Sequence, residues 1–387
     1  MRRNYKNKII KLAVCFAVII GSPFLAAAAI KSAPAMSLLA GKAANLAAGA
    51  TLGQVPEKVS ETTVPVEPPT TTAIPDFDDT MMRSFGFPSE LIPSSENEEV
   101  VVQDFPQDKG PKPYPEKIET RSGAITTLKY EKANGTQFFS LDGGGQVRNT
   151  TSVPTEKLIA EGKLLPQFKV DFNSAPQVLI MHTHTTESFE PYARDFYDAS
   201  FNSRTTDESK NMVSVGNKIE AELSAAGIGV IHDKTIHDYP SYNGSYDRSA
   251  VTVKAILAQN PSIKIVLDIH RDAIEKKGGE RVAPVANIGG KNAAQIMIIS
   301  GCDDGTLNMP KYMENFRFSA LLQQQLESDY AGITRPVFFA YRKYNQDLTT
   351  GSILIEVGGH ANSLEQAQYS GELIGKSLSK ALLKIKN

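Results

Sequence analysis

The sequence predicts an α/β domain in the C-terminal half, with a mostly parallel or mixed sheet flanked by helices, preceded by a membrane helix and a disordered tether. Three observations carry this. Apolar runs without alternation recur at 178–181 (VLIM), 263–269 (IKIVLDI) and 353–357 (ILIEV), as in strands covered on both faces. Segments with helical apolar spacing lie between them, so strand and helix alternate. The N-terminal 116 residues have a different composition, first basic and apolar, then rich in Pro and Thr.

In chain order, the first strand of the main domain spans 177–181. A helix follows over 211–226, with Met212, Val215, Ile219 and Leu223 on one face, and Gly227 stops it. A strand at 229–232, a helix at 249–259 ending before Asn260-Pro261, and a strand at 263–269 come next. The remainder reads as a strand at 294–300, a helix at 312–329, a strand at 353–357 and a closing helix at 363–384. Upstream, 125–130 and 137–141 alternate enough for short strands, 142–145 (DGGG) is a turn, and 155–162 is a short helix. The glycine turn lacks a following Gly-Lys-Ser/Thr and is not a phosphate loop. The expected division is 1–31 basic tip and anchor, 32–116 linker, 117–174 a small N-terminal extension of the main domain, and 175–387 the main domain.

The start carries five Lys or Arg residues before Leu12, then 19 uncharged residues to Ile30. That approaches the ~20 residues that span a bilayer as a helix. The basic flank places the N-terminus in the cytoplasm and the rest outside. An uncleaved single-pass anchor and a cleaved signal peptide, with Ala26–Ala29 or Ala33–Ala35 near the cut, are both open, and either exports the domain. Eleven prolines between Pro56 and Pro115, spaced by Thr, Ser, Asp and Glu, describe a tether that cannot bury enough apolar surface to order itself.

A net charge of −2 gives no electrostatic basis for nucleic-acid binding. Cys15 lies in the apolar run and Cys302 in the domain, so no disulfide framework is implied. There is no Gly-x-Ser-x-Gly elbow and no cysteine placed as a nucleophile, which disfavours acyl-enzyme chemistry.

Ligand-type residues gather at three strand ends. The first strand runs into His182, His184 and Glu187, the second into His270, Arg271 and Asp272, and the third carries Glu356. In open α/β sheets, sites form beyond the carboxyl ends of strands. Two imidazoles and a carboxylate suit a zinc ion that keeps one position for water. Glu356, a carboxylate inside an apolar strand, needs a partner or a task. It could take a proton from the attacking water and deliver it to the leaving nitrogen. A single strand-end histidine is more often structural than a ligand. The combination of His-x-His, a nearby Glu, a second strand-end His and a buried Glu is harder to explain that way. His232 and His237 lie in an aromatic, polar segment that reads either as a substrate-facing loop or as a surface loop. His360 is a weaker candidate.

The segments HTHTTESF (182–189), HDYPSYNGSYDRS (237–249), LDIHRDA (267–273), NIGGKN (287–292) and ILIEVGGHANSLEQA (353–367) together resemble the stage II sporulation protein P family over about 175–385. That family is similar to the zinc-dependent N-acetylmuramoyl-L-alanine amidases. The resemblance implies a zinc amidase-like fold and a membrane-anchored peptidoglycan hydrolase that cuts the muramic acid to L-alanine amide at the sporulation septum during engulfment. It implies stage II sporulation proteins D and M as partners, and extends to endopeptidase action on stem peptides. The implied zinc ligands are His184 or His182, Glu187 and His270, with Glu190 as a fallback acid and Glu356 as general base and acid. Arg271, Asp272, His237, Tyr246, Arg248 and Asn362 are candidates for contact with substrate. A zinc peptidase acting only on stem peptides, or a non-catalytic wall-binding recruiter, are the alternatives.

Overall fold

The computed structural model describes Tyr114, Pro115 and residues 119–173 and 175–387. The expected membrane span and nearly all of the expected tether lie outside the described residues. Among the described residues, no helix is long and apolar enough to cross a membrane.

Twelve strands and five helices are described: β1 (Gly123–Leu128), β2 (Phe138–Ser140), β3 (Gln146–Asn149), α1 (Thr155–Glu161), β4 (Pro176–Met181), β5 (Phe196–Tyr197), α2 (Met212–Ala225), β6 (Gly229–His232), α3 (Ser245–Gln259), β7 (Ile265–Asp272), β8 (Arg281–Ile288), β9 (Lys291–Ala294), β10 (Ile296–Cys302), α4 (Tyr312–Asp329), β11 (Val337–Tyr341), β12 (Gly351–Gly359) and α5 (Leu364–Leu383). Eight strands form the main sheet, in the order β2-β3-β11-β10-β12-β7-β4-β6. β12, β7, β4 and β6 are mutually parallel, and β10 runs antiparallel to β12. The sheet is therefore mixed, and the three strands that carry ligand-type residues are contiguous and parallel.

Both faces of this sheet are covered, and the alternation of side chains decides which residue meets which face. Val178 and Ile180 of β4, Ile265, Leu267 and Ile269 of β7, and Ile353, Ile355 and Val357 of β12 join the large core that contains α2, α4 and α5. Leu179 and Met181 of β4 and Val266 of β7 point the other way and pack with Val253 of α3. Burying a Leu, Ile or Val is worth ~1.5–3 kcal/mol each, so both layers contribute. α2 begins at Asn211, whose side chain accepts from the Val213 N–H. α5 begins with a capping box between Ser363 and Gln366.

A second, four-stranded sheet has the order β5-β1-β8-β9. Its β8–β9 hairpin turns at Gly289 and Gly290, whose φ values of 57° and 83° suit glycine. The segment NIGGKN is this turn. The strand expected at 294–300 is split, with β9 ending at Ala294 and β10 starting at Ile296. Residues 119–173 are woven into both sheets. β2 and β3 extend the main sheet beside β11, β1 pairs with β8, and Val147, Leu158 and Val170 enter the large core. At the expected end of the tether, Tyr114 already docks. Its hydroxyl donates to the Phe189 carbonyl at 3.0 Å and its ring meets Phe201 edge-on at 5.3 Å.

Candidate active site at the ends of β4, β7 and β12

Glu356 on β12 lies in register with His270 on β7. Both share the strand parity of Leu354 and Val266, so both face the α3 side. Asp268, two residues before His270, faces the same way. His270 Nε2 stands 2.8 Å from Asp268 Oδ1, and its Nδ1 stands 3.6 Å from Glu187 Oε2. Asp268 also accepts from the Thr183 N–H (2.8 Å) and hydroxyl (2.7 Å), which ties β7 to the turn after β4. Burial lowers the His270 pKa, but Asp268, then Glu187 and Glu356, more than reverse this and raise it to about 10. Glu356 is 1% exposed.

His184 follows the turn after β4. Its ring lies edge-on to His270 at 5.1 Å between centroids and stacks on Tyr242 at 4.6 Å, with Nδ1 3.4 Å from the Ser245 hydroxyl. The Glu187 N–H donates to the His184 carbonyl at 3.1 Å, so one tight turn carries both residues. Glu187 Oε2 accepts from the Arg271 N–H at 3.1 Å, and Oε1 faces Arg204 at 3.5 Å. Arg204 in turn donates to Asp238 at 2.7 Å. Glu187 is fully buried, and Arg204 supplies the paired charge that this requires.

His182 points elsewhere. It continues the parity of Val178 and Ile180 and enters the α2 side of the sheet. Its Nδ1 donates to the Ile269 carbonyl at 3.0 Å, and its Nε2 meets His232 Nε2 at 2.9 Å. His232 Nδ1 reaches Glu220 on α2 at 3.2 Å. Burial, then His232, push the His182 pKa down to about 3, and burial and Lys234 push His232 down to about 4. Gly216 of α2 makes room for the pair, since a Cβ there would come within 2.5 Å of His232 Nε2 and 2.9 Å of His182 Nε2.

Several other candidates build the walls. Arg271 is buried, donating to the Ser188 carbonyl at 3.0 Å and the Ser203 carbonyl at 3.2 Å, which holds the 187–204 segment against β7. Asp272 accepts from Arg335 at 2.8 Å and from the Ala273 N–H at 2.8 Å. His237 bonds the His182 carbonyl and Thr252 at 3.0 Å each. Arg248 donates to the carbonyls of His237 (2.7 Å), Ser241 (2.6 Å) and Asn243 (3.0 Å). It stands in the first turn of α3, which starts at Ser245 rather than at the expected 249 because left-handed Gly244 (φ 76°) turns the chain into the helix earlier. Asn362 accepts from the Gly359 N–H at 2.8 Å and donates to the Pro284 carbonyl at 3.1 Å. Tyr246 lies parallel to His270, 6.4 Å away. Glu190 pairs with Arg194 and is not beside His270 or Glu187 in any described contact. His360, near Glu275, is depressed to about 4 by burial. Cys302 is buried and its thiol is pushed up to about 12, which leaves it inert.

The structure thus brings His184, Glu187, His270 and Glu356 to one place and sends His182 to another. Sequence reasoning missed Asp268, Arg204, Ser245 and Tyr242. Asp268 had a signal, since Asp-x-His on a strand puts both side chains on one face. His184, Glu187 and His270 are the groups here that could hold a metal ion. Among the described residues, no three His, Cys, Asp or Glu side chains already stand at metal-holding distance.

The family model for stage II sporulation protein P matches residues 92–379. Stage II sporulation protein P of Bacillus subtilis (strain 168) is 32% identical over 204 residues, covering 49% of this chain and 47% of the relative. The match therefore spans about half the length of that relative. Among solved structures, N-acetylmuramoyl-L-alanine amidase AmiC2 of Nostoc punctiforme is 10% identical, covering 55% of this chain and 98% of that one, with a TM-score of 0.34. The CwlD amidase of Clostridioides difficile, in complex with the GerS lipoprotein, is 13% identical, covering 54% and 98%, with a TM-score of 0.33. The family match extends over well more than half of the sequence, and the chain belongs to the stage II sporulation protein P family.

Proposed function

We propose that this chain is a zinc-dependent N-acetylmuramoyl-L-alanine amidase of peptidoglycan. The observation that carries the reading is the meeting of His184, Glu187, His270 and Glu356 at the carboxyl ends of three contiguous parallel strands. The donor set fits zinc. His270 has Nε2 held by Asp268 and Nδ1 turned to Glu187, which is the carboxylate–histidine arrangement that orients a ligating imidazole. The 3.6 Å between His270 Nδ1 and Glu187 Oε2 is near the roughly 3.4 Å that separates two donors on a tetrahedral zinc with bonds of about 2.1 Å. His184, on the same tight turn as Glu187 and edge-on to His270, would be the third donor.

The metal, when bound, would polarise the amide carbonyl and acidify water. Glu356 takes a proton from the water as its oxygen adds to the carbonyl carbon. The same carboxylic acid then gives that proton to the amide nitrogen as the carbon–nitrogen bond breaks, leaving a muramic acid lactyl carboxylate and a stem peptide with a free L-alanine amine. Asp268 orients His270, and Arg204 with the Arg271 N–H orients Glu187.

On this reading the basic N-terminus and apolar run form a single-pass anchor, with the domain on the outer face of the membrane at the sporulation septum. Peptidoglycan is the substrate, stage II sporulation proteins D and M are the companions, and the enzyme acts during engulfment. The test is Glu356→Gln in purified protein incubated with cell wall. Loss of stem-peptide release with unchanged folding supports the reading. Release at the wild-type rate removes Glu356 from the chemistry.

A further inference from the structure

Next to His184 and His270 stands a pile of aromatic rings that the reaction does not use. Tyr246, in the first turn of α3, lies parallel to His270 within 9°. Tyr344, between β11 and β12, stacks on Tyr246 at 5.1 Å and 29°. The pile runs outward from a buried imidazole to half-buried Tyr344. Tyr344 is held there at a cost. It and Asn345 have φ values of 44° and 55°, the left-handed region that a residue with a Cβ avoids. Asn345 fixes the corner by donating to the Tyr246 carbonyl at 2.9 Å and to Ser249 at 3.0 Å. Strained backbone of this kind collects at ligand sites.

Charge selects the ligand. Of the arginines on the neighbouring segments, Arg204 is buried and paired with Asp238 and Glu187, and the exposed Arg248 spends its donors on three backbone carbonyls. Lys343 faces Asp347 at 3.7 Å. An aromatic face whose neighbouring cations have their donors committed to the protein offers stacking rather than ion pairing, which suits the apolar face of an uncharged ring. We propose that Tyr344, the outer ring of the pile and backed by Tyr246, forms a platform for a neutral sugar ring of the glycan strand beside the scissile amide. This rests on the hydrolase reading, whose substrate joins sugar to peptide, and it assigns the sugar side.

The test is equilibrium binding of two probes to the full chain in detergent: peptide-free glycan oligosaccharides and free stem peptides. The wild type should bind the glycan. Tyr344→Ala and Tyr344→Leu should weaken glycan binding at least tenfold, Tyr344→Phe should stay within about threefold, and stem-peptide binding should be unchanged in all three. Leu keeps apolar bulk without a ring, so a loss confined to Ala would mean packing and overturn the platform. Equal glycan binding by all variants, parallel loss of both probes, or no glycan binding by the wild type would also overturn it. Stem-peptide release from whole wall by the wild type is scored separately. Release with Tyr344-independent glycan binding sinks only the platform; Tyr344-dependent binding without release sinks the hydrolase reading and keeps the platform.

Discussion

His182 and His184 are two residues apart, yet they lie in opposite electrostatic environments. His182 enters the α2 layer beside His232, and burial holds both imidazoles neutral, at about 3 and about 4. His184 enters the α3 layer beside His270, where Asp268, Glu187 and Glu356 outweigh the same burial and raise His270 to about 10. Both layers are buried, and the Asp268, Glu187 and Glu356 carboxylates around His270 decide the difference. The acidic layer gathers several buried carboxylates around His270, whereas the other layer pairs two neutral imidazoles. On the proposed reading His184 serves the reaction, while His182 bonds the Ile269 carbonyl of β7 and His232 of β6.

The largest difference should appear in catalysis. Glu356→Gln should lower stem-peptide release by about 10²–10⁴-fold, the usual contribution of a general acid–base group, with the denaturation midpoint near that of the wild type. No substitution at His182 should approach this loss while the protein stays folded.

Metal content separates the two layers next. His270→Ala should abolish stoichiometric zinc in purified protein, and Asp268→Asn should weaken zinc binding by about 10–100-fold, as loss of an orienting partner does. His182→Asn should leave the zinc content as it is. Zinc lost from His182→Asn, and kept in His270→Ala, would exchange the roles of the two layers.

Proton linkage gives the layers opposite signs. His182 and His232 have depressed folded pKa values, so their stability is present above the unfolded value near 6.5 and is lost as pH falls toward 4 and 3. His270 in metal-free protein has a raised value, so its stability is present below 6.5 and is lost as pH rises toward 10. Urea midpoints should therefore fall on both sides of neutrality, and His182→Asn should flatten only the acid limb.

The smallest effect should come from Gly216. Gly→Ala inside a helix ordinarily stabilises by about 0.5–1 kcal/mol. Here the added Cβ collides with the His182–His232 pair, so Gly216→Ala should lower the melting temperature instead. A rise in melting temperature would mean that the pair is loosely held.

Much of this was legible from residues. The runs VLIM, IKIVLDI and ILIEV announced buried parallel strands, and helices at 211–226, 312–329 and 363–384 were readable from spacing and caps. Parity along VLIMH and DIH carried more than was read from it. Val178, Ile180 and His182 share one face, and Asp268 and His270 share another, which separates the two histidine layers before any coordinates. Arg204 and Tyr344 were not legible. Arg204 reaches Glu187 from a loop without regular pattern, and Tyr344 depends on a left-handed corner that no glycine marks. The second sheet was also missed. β1 reaches its partner β8 from Ile125 to Arg281, far along the sequence, and Pro284 interrupts the strand pattern of β8.

The central claim is that the acidic layer hydrolyses the lactyl–L-alanine amide. Mass spectrometry of cell wall digested by the purified protein tests it most directly, with Glu356→Gln run in parallel. The account predicts stem peptides with a free L-alanine amine and unsubstituted muramic acid from the wild type, and neither from the variant. Glycan–peptide links left intact by active wild-type protein would contradict it.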